Sequence, residues 1–361
     1  MLIYLFLFAL LLFASSRNNN IWYFLCFVCL LAVAALRNIS VGTDTQFYIE
    51  RFSYVDEYTD VFDNILTHNS EYLESIIYII AHRLNLDFQY VLGVEALIFL
   101  GLLAIFYKRE LSNSSLGMLS LYCLGVYFAL FNGFRQAISV AVCLYAYPFL
   151  SDNIYGFHGV TTQKKSLSSK FRNDFFFFLL VVLASFIHQS SLILLLLFPL
   201  KFIKLNIHVT SVLLFVFFLF GMIGDFGTFV FSAIGYLWGG ERFTSYIHYN
   251  ISYIGISNII NIIILLTIYN IYRKDLDLDN NIYFKAAIVE LSIVLLFSST
   301  VAYIPRVVLP FTMASSVLYA QCLTQKNKIG RILMAFVIIR SFTITILSGA
   351  NGTIPYKFYW E

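Results

Sequence analysis

The sequence predicts an all-α, polytopic integral membrane protein, and three observations carry that prediction. Hydrophobic residues make up 60% of the 361-residue chain, charged residues only 12%, and the mean hydropathy is +0.80. A soluble domain carries roughly a quarter charged residues, so too little polar surface remains here to cover a water-soluble globule, a demand that lipid does not make. The apolar residues fall in runs separated by polar connections, and Lys and Arg crowd into alternate connections. The net charge of +3 is modest and gives no reason to expect a nucleic-acid partner.

A helix needs about 20 apolar residues to cross a bilayer, fewer where the bilayer thins. Spans are expected near 2–16, 21–36, 88–107, 116–131, 135–150, 209–224, 256–272, 283–303, 307–323 and 332–349. The first run, Leu2 to Phe13, has no basic flank before it and no small-residue cleavage site after it, so it reads as a retained span. No internal repeat and no Pro- or Ser-rich linker divides the chain, which reads as one transmembrane domain, 1–361, with long outer loops at 37–87 and 225–255. The five cysteines exclude a complete disulfide framework. Cys26 and Cys29 have metal-like spacing but no nearby His or acidic ligand, and all five read as inert thiols.

Orientation follows from the basic connections. Lys108 and Arg109, then Lys164, Lys165, Lys170 and Arg172, then Arg273 and Lys274, then Lys326, Lys328 and Arg331 mark one set as cytoplasmic. The acidic segment 37–87, the loop 225–255 and the tail 350–361 fall on the opposite face. An odd number of crossings must then separate the basic loop near 165–172 from the loop 225–255. One helix through 175–203 plus the span 209–224 gives two, which fails. Two short helices, 175–187 and 190–203, give three, with a turn at His188-Gln189-Ser190-Ser191 on the outer face. The total is about twelve spans, with both termini outside.

That outer face holds charges at the mouths of spans. Arg37 follows the second span, ahead of Gly42-Thr43-Asp44; Arg135 opens the fifth; His188 sits at the turn; Arg242 lies in 225–255; and Arg306 follows Pro305. A lone Arg at a span end ordinarily snorkels to lipid headgroups. Several on the face that disfavours them suggest a shared anionic ligand, and the planar guanidinium suits phosphate. Arg51 and Arg83 read as ion-paired within the acidic segment. Glu290 and Arg340 lie at matched depth and are expected to pair, and Glu95 has no evident partner. Asp275, Asp277 and Asp279 read as a solvated cytoplasmic loop. No His/Asp cluster suggests a metal on the outer face.

At these residues the chain resembles the EpsG-like branch of Wzy-type O-antigen and capsule polymerases. The resemblance rests on Arg37 through Gly42-Thr43-Asp44 with Tyr48 following, on Phe134-Arg135-Gln136-Ala137, and on Phe186-Ile187-His188-Gln189-Ser190-Ser191. Arg242 with Tyr246, Pro305-Arg306 and Pro355-Tyr356 add to it. It implies a GT-C-like helical bundle in the bacterial inner membrane that polymerises undecaprenyl-diphosphate-linked oligosaccharides on the outer face, donor and acceptor both being lipid-linked. A chain-length regulator and a flippase are the implied protein partners. Such a transfer needs charge neutralised on the leaving diphosphate and a proton taken from the acceptor hydroxyl. Arg135, Arg242 and Arg306, with Arg37, are candidates for the first, and His188 or Asp44 for the second, with no cofactor or metal. Tyr246, with Tyr236, Trp238 and Tyr249, is placed to stack on sugar rings or to anchor at the interface. An O-antigen ligase-like transferase and a lipid-linked oligosaccharide flippase are the alternatives. A flippase should line a path through the bilayer with charge, whereas these residues gather at one face.

Overall fold

The computed structural model describes residues 1–56, 59–68, 71–151, 167–223, 228–230, 232–233, 255–297 and 304–361. Every extended regular element among them is a helix, and the only other pairing is an isolated antiparallel bridge between Arg37 and Phe358. In chain order these are α1 Leu2–Arg17, α2 Asn20–Ala35, three short helices α3 Thr45–Ser53, α4 Val61–His68 and α5 Tyr72–Arg83, then α6 Phe88–Glu110. They continue with α7 Ser114–Cys123, α8 Val126–Asn132, α9 Phe134–Leu144, α10 Tyr147–Leu150 and α11 Leu167–Ile187. A 3-10 helix Gln189–Leu196 runs into α12 Leu197–Leu200, followed by α13 Ile207–Met222, α14 Ile256–Tyr272 and α15 Ile282–Phe297. The last helices are α16 Ile304–Val307, α17 Leu309–Thr324 and α18 Lys328–Leu347.

Among the described residues, two helices, α6 and α18, are long and apolar enough to cross a bilayer, and α7 with α8 makes a third passage if its bend of 59° is counted within one span. The bend falls at Gly125, whose φ of +81° is one that side chains with a Cβ rarely adopt. Several further apolar helices are 16 or 17 residues long, and 16 residues reach only about 24 Å of a core about 30 Å thick. The distribution of polarity is inverted relative to a soluble protein. Phe24, Ile105, Phe171, Phe215, Ile263 and Ile332 are exposed, while Arg37, Glu74 and Glu95 are buried.

Polar contacts gather the helix ends at two opposite ends of the bundle. At one, Asn113 Nδ2 donates to Ser15 O at 2.8 Å, Lys108 meets Asn20, and Leu205 N donates to Asp279 O at 3.1 Å. At the other, Tyr4 Oη donates to Thr353 O at 3.0 Å and Gln89 Nε2 to Arg37 O at 3.2 Å. The chain between α10 and α13 doubles back as expected. The helix breaks at His188, which is extended at φ −159° and ψ 123°, and Lys201 beyond the second limb pairs with Asp174 near the start of the first. Antiparallel limbs are the only way to bring those two together. The first limb begins at Leu167, earlier than the 175 read from hydropathy, because Lys170 and Arg172 interrupt the apolar run without breaking the helix.

The expected pair of Glu290 and Arg340 does not form. Thr312 Oγ1 and Ser315 Oγ of α17 each donate to the Glu290 carboxylate at 2.7 Å. Arg340 instead donates to Asn261 Oδ1 at 3.0 Å and Ser257 Oγ at 2.7 Å on α14. The two side chains leave their helices toward different neighbours.

Candidate functional site at one end of the bundle

The site is assembled from four chain segments, each fixed by its own local chemistry. The loop after α2 is fastened by backbone contacts: Asn38 N donates to Lys357 O at 2.9 Å, Tyr359 N to Leu36 O at 2.9 Å, and Gly42 N to Gly352 O at 3.2 Å. Gly42 has a φ of +103°, and a Cβ there would lie 2.6 Å from Phe131 O and 2.8 Å from Asn132 Oδ1. Only glycine permits the loop to lie this close to the end of α8. The same Asn132 Oδ1 accepts from Thr43 N at 2.7 Å, which places Asp44 at the head of α3.

The second segment is the start of α5, where Glu71 and Glu74 stand three residues apart and Glu71 N donates to Glu74 Oε2 at 3.4 Å. The third is the start of α9, carrying Arg135 and Gln136. The fourth is the break at His188, held against α9 by Ser139 Oγ donating to Ala184 O at 2.8 Å and anchored by Ser191 Oγ donating to His188 O at 2.8 Å. Gln136 ties the third and fourth segments to α16, its Nε2 donating to Arg306 O at 2.6 Å and to Ser190 Oγ at 3.2 Å.

The side chains form two ion-paired groups of different depth. In the deeper one Glu74, fully buried, lies 3.2 Å from Arg51 and 3.1 Å from Arg135. Arg135 also reaches Glu71 at 3.4 Å and lies with its guanidinium carbon 5.5 Å from the centre of the Tyr48 ring. Burial raises the Tyr48 phenol pKa, against the pull of Arg135, so Tyr48 stays neutral. Removing one member of such a buried network strands the others and costs about 3–5 kcal/mol. Nearer the surface, His188 Nδ1 lies 2.8 Å from Glu71 Oε1. A carboxylate only accepts, so Nδ1 carries the hydrogen, and in the neutral ring Nε2 keeps the lone pair.

In the second group Arg306 Nη2 and Asp44 Oδ2 are 2.7 Å apart, with the side chains 45% and 27% exposed. The other Asp44 oxygen accepts from Thr43 Oγ1 at 2.8 Å. An exposed pair of this kind contributes about 0–1 kcal/mol and exchanges partners readily. Across both groups Arg51, Arg135 and Arg306 face Glu71, Glu74 and Asp44, so the arginines come already paired with carboxylates.

Four of the site residues expected from sequence therefore meet here: Asp44, Arg135, His188 and Arg306. Arg37 stands apart. It is 2% exposed, with its guanidinium carbon 4.5 Å from the centre of the Phe131 ring, and burial pulls its pKa down to about 10, Glu95 opposing. It faces the interior beneath the loop it begins. Glu95 is likewise buried, and neither of its oxygens has a hydrogen-bond partner among the described residues. Arg242 and Tyr246, with Tyr236, Trp238 and Tyr249, lie outside the described residues. Arg51 is paired as expected. Glu71 and Glu74 were not singled out from sequence; the signal was present in their spacing, two carboxylates three apart at a helix start, which puts both on one face.

No curated protein and no solved structure matches the chain. The EpsG family model matches residues 20–157 and 166–358. That match spans nearly the whole chain and includes every residue of the site described above, and the protein belongs to the EpsG family.

Proposed function

We propose that the protein is a membrane glycosyltransferase that polymerises undecaprenyl-diphosphate-linked oligosaccharide repeat units into O-antigen, capsule or exopolysaccharide. The reading takes the apolar helices as about twelve passages of a GT-C-like bundle in the cytoplasmic membrane, with the site facing the periplasm or exterior. The observation that carries it is the His188–Glu71 pair, tied through Gln136 to the segment that bears Arg306, in a chain of the EpsG family.

In this mechanism the acceptor sugar hydroxyl attacks the anomeric carbon of the donor. Its proton passes to Nε2 of His188, while Glu71 holds the ring and stabilises the imidazolium that forms. The bond from the anomeric carbon to the diphosphate oxygen breaks, and its electron pair leaves with the diphosphate, whose charge Arg306 neutralises. Arg135, enclosed by Glu71 and Glu74, positions the His188 partner. Arg242 and Tyr246 join the proposal from sequence alone, as a further phosphate ligand and a sugar-stacking ring. A flippase delivers the repeat units, and a chain-length regulator acts on the product.

Purified protein given lipid-diphosphate repeat units should extend them, in chelator as well as without it. His188→Ala should lose about 10²–10⁴ in rate, the ordinary worth of a general base, and cells carrying it should display lipid capped with a single repeat unit. Repeat units stranded on the cytoplasmic leaflet, with no capped lipid, would instead mark a flippase. Strict dependence on an added divalent ion would overturn the arginine mechanism.

A further inference from the structure

The two ion-paired groups differ in a way that separates their roles. Glu74 is fully buried between Arg51 and Arg135, so that group is a fixed scaffold. Arg306 and Asp44 are 45% and 27% exposed, so a ligand arriving from outside meets this pair first. Asp44 sits on a loop fastened by Asn132 and by residues 352–358, and its second oxygen is bound by Thr43 Oγ1. Arg306 reaches it from the four-residue α16 on a long side chain with several rotatable bonds. Both members lie where a ligand arriving from outside can reach them.

We propose that Asp44 is a placeholder for the substrate diphosphate: it occupies Arg306 in the empty enzyme, yields it to the donor, and reclaims it to expel the product. This rests on the polymerase reading above. Two negatively charged groups compete for one guanidinium, and a diphosphate offers more acceptor oxygens and more charge than a carboxylate. The competition matters most at release. The donor is a diphosphate diester; the departing lipid is a diphosphate monoester, which gains ionisable charge when the sugar leaves. An arginine with no internal competitor would hold that product more tightly than the substrate, and turnover would stall on release. Asp44 lowers the affinity for both, and its proximity at 2.7 Å lets it return as the product departs.

The test is binding of farnesyl diphosphate, a short polyprenyl diphosphate monoester, to detergent-solubilised full-length protein by calorimetry. Asp44→Asn should bind it about two- to fivefold more tightly than wild type, since it removes an exposed competing charge. The same substitution should lower kcat and KM together and make turnover more sensitive to added product. In an Arg306→Gln background the Asp44→Asn gain should vanish. Unchanged or weaker binding by Asp44→Asn would overturn the placeholder, as would a gain that persists without Arg306. Should Asp44→Asn fail to fold, Asp44→Ser removes the same charge in a smaller side chain and is read the same way. If wild-type protein binds no polyprenyl diphosphate at all, the polymerase reading itself falls, a result distinct from binding that Asp44→Asn fails to tighten.

Discussion

Glu74 receives two guanidiniums while being fully shielded from solvent, which makes it the residue on which the site's geometry depends most. Arg51 and Arg135 come from different helices, α3 and α9, and neither is more than 15% exposed. Glu74→Gln should therefore leave two positive charges facing an amide, at about 3–5 kcal/mol, seen as a lower yield and a lower melting temperature in detergent. Arg135→Lys keeps the charge but not the fork that spans Glu71 and Glu74, so it should fold better than Glu74→Gln yet lose most extension activity. Equal thermal stability of Glu74→Gln and wild type would show that the network is not structural. His188 differs from these residues in kind. It is partly exposed and touches the network through Glu71 alone among its charged groups, so its removal should cost activity and not stability.

At the scale of elements, carboxylates inside the bundle are satisfied by hydroxyls as readily as by cations. Glu290 on α15 accepts from Thr312 and Ser315, which stand three residues apart on one face of α17, and this contact pins two neighbouring helices. Replacing both hydroxyls, by Thr312→Val with Ser315→Ala, should strand the carboxylate and reduce folded protein more than Glu290→Gln, which keeps an acceptor. Exchanging Glu290 and Arg340 should recover nothing, because Arg340 is held by Ser257 and Asn261 on α14. Recovery on exchange would contradict the partners described. The break at His188 shows the same economy: one extended residue ends a helix, reverses the chain, and presents an imidazole at the turn.

Across the whole molecule, orientation is open to a direct check. Cysteines at Lys326 and Ser348, exposed at opposite ends of α18, should behave oppositely toward a membrane-impermeant thiol reagent in intact cells, the first shielded and the second labelled. The reverse pattern would place the His188 site in the cytoplasm. Much of this arrangement was legible in the sequence. Loop charge and crossing parity located the reversal at His188, and residues of unfavoured charge at span mouths pointed to Arg135 and Arg306. Glu71 and Glu74 were hidden because an acidic residue in an acidic outer segment looks solvated until its partners are known. Arg37 was conspicuous, but nothing local foretells that residues 352–358 fold back over it. Glu290 and Arg340 failed as a pair because rise along a helix gives depth and not the direction a side chain takes around the axis.

The fastening of the Asp44 loop also imposes an order on biosynthesis. The loop follows the second helix and leaves the ribosome early, yet its anchors are Asn132 and the backbone of Gly352 and Lys357. An insertion intermediate with every earlier helix in place therefore still lacks half of what holds Asp44 opposite Arg306. The loop reaches its described position only once the segment containing Gly352 and Lys357 has been made.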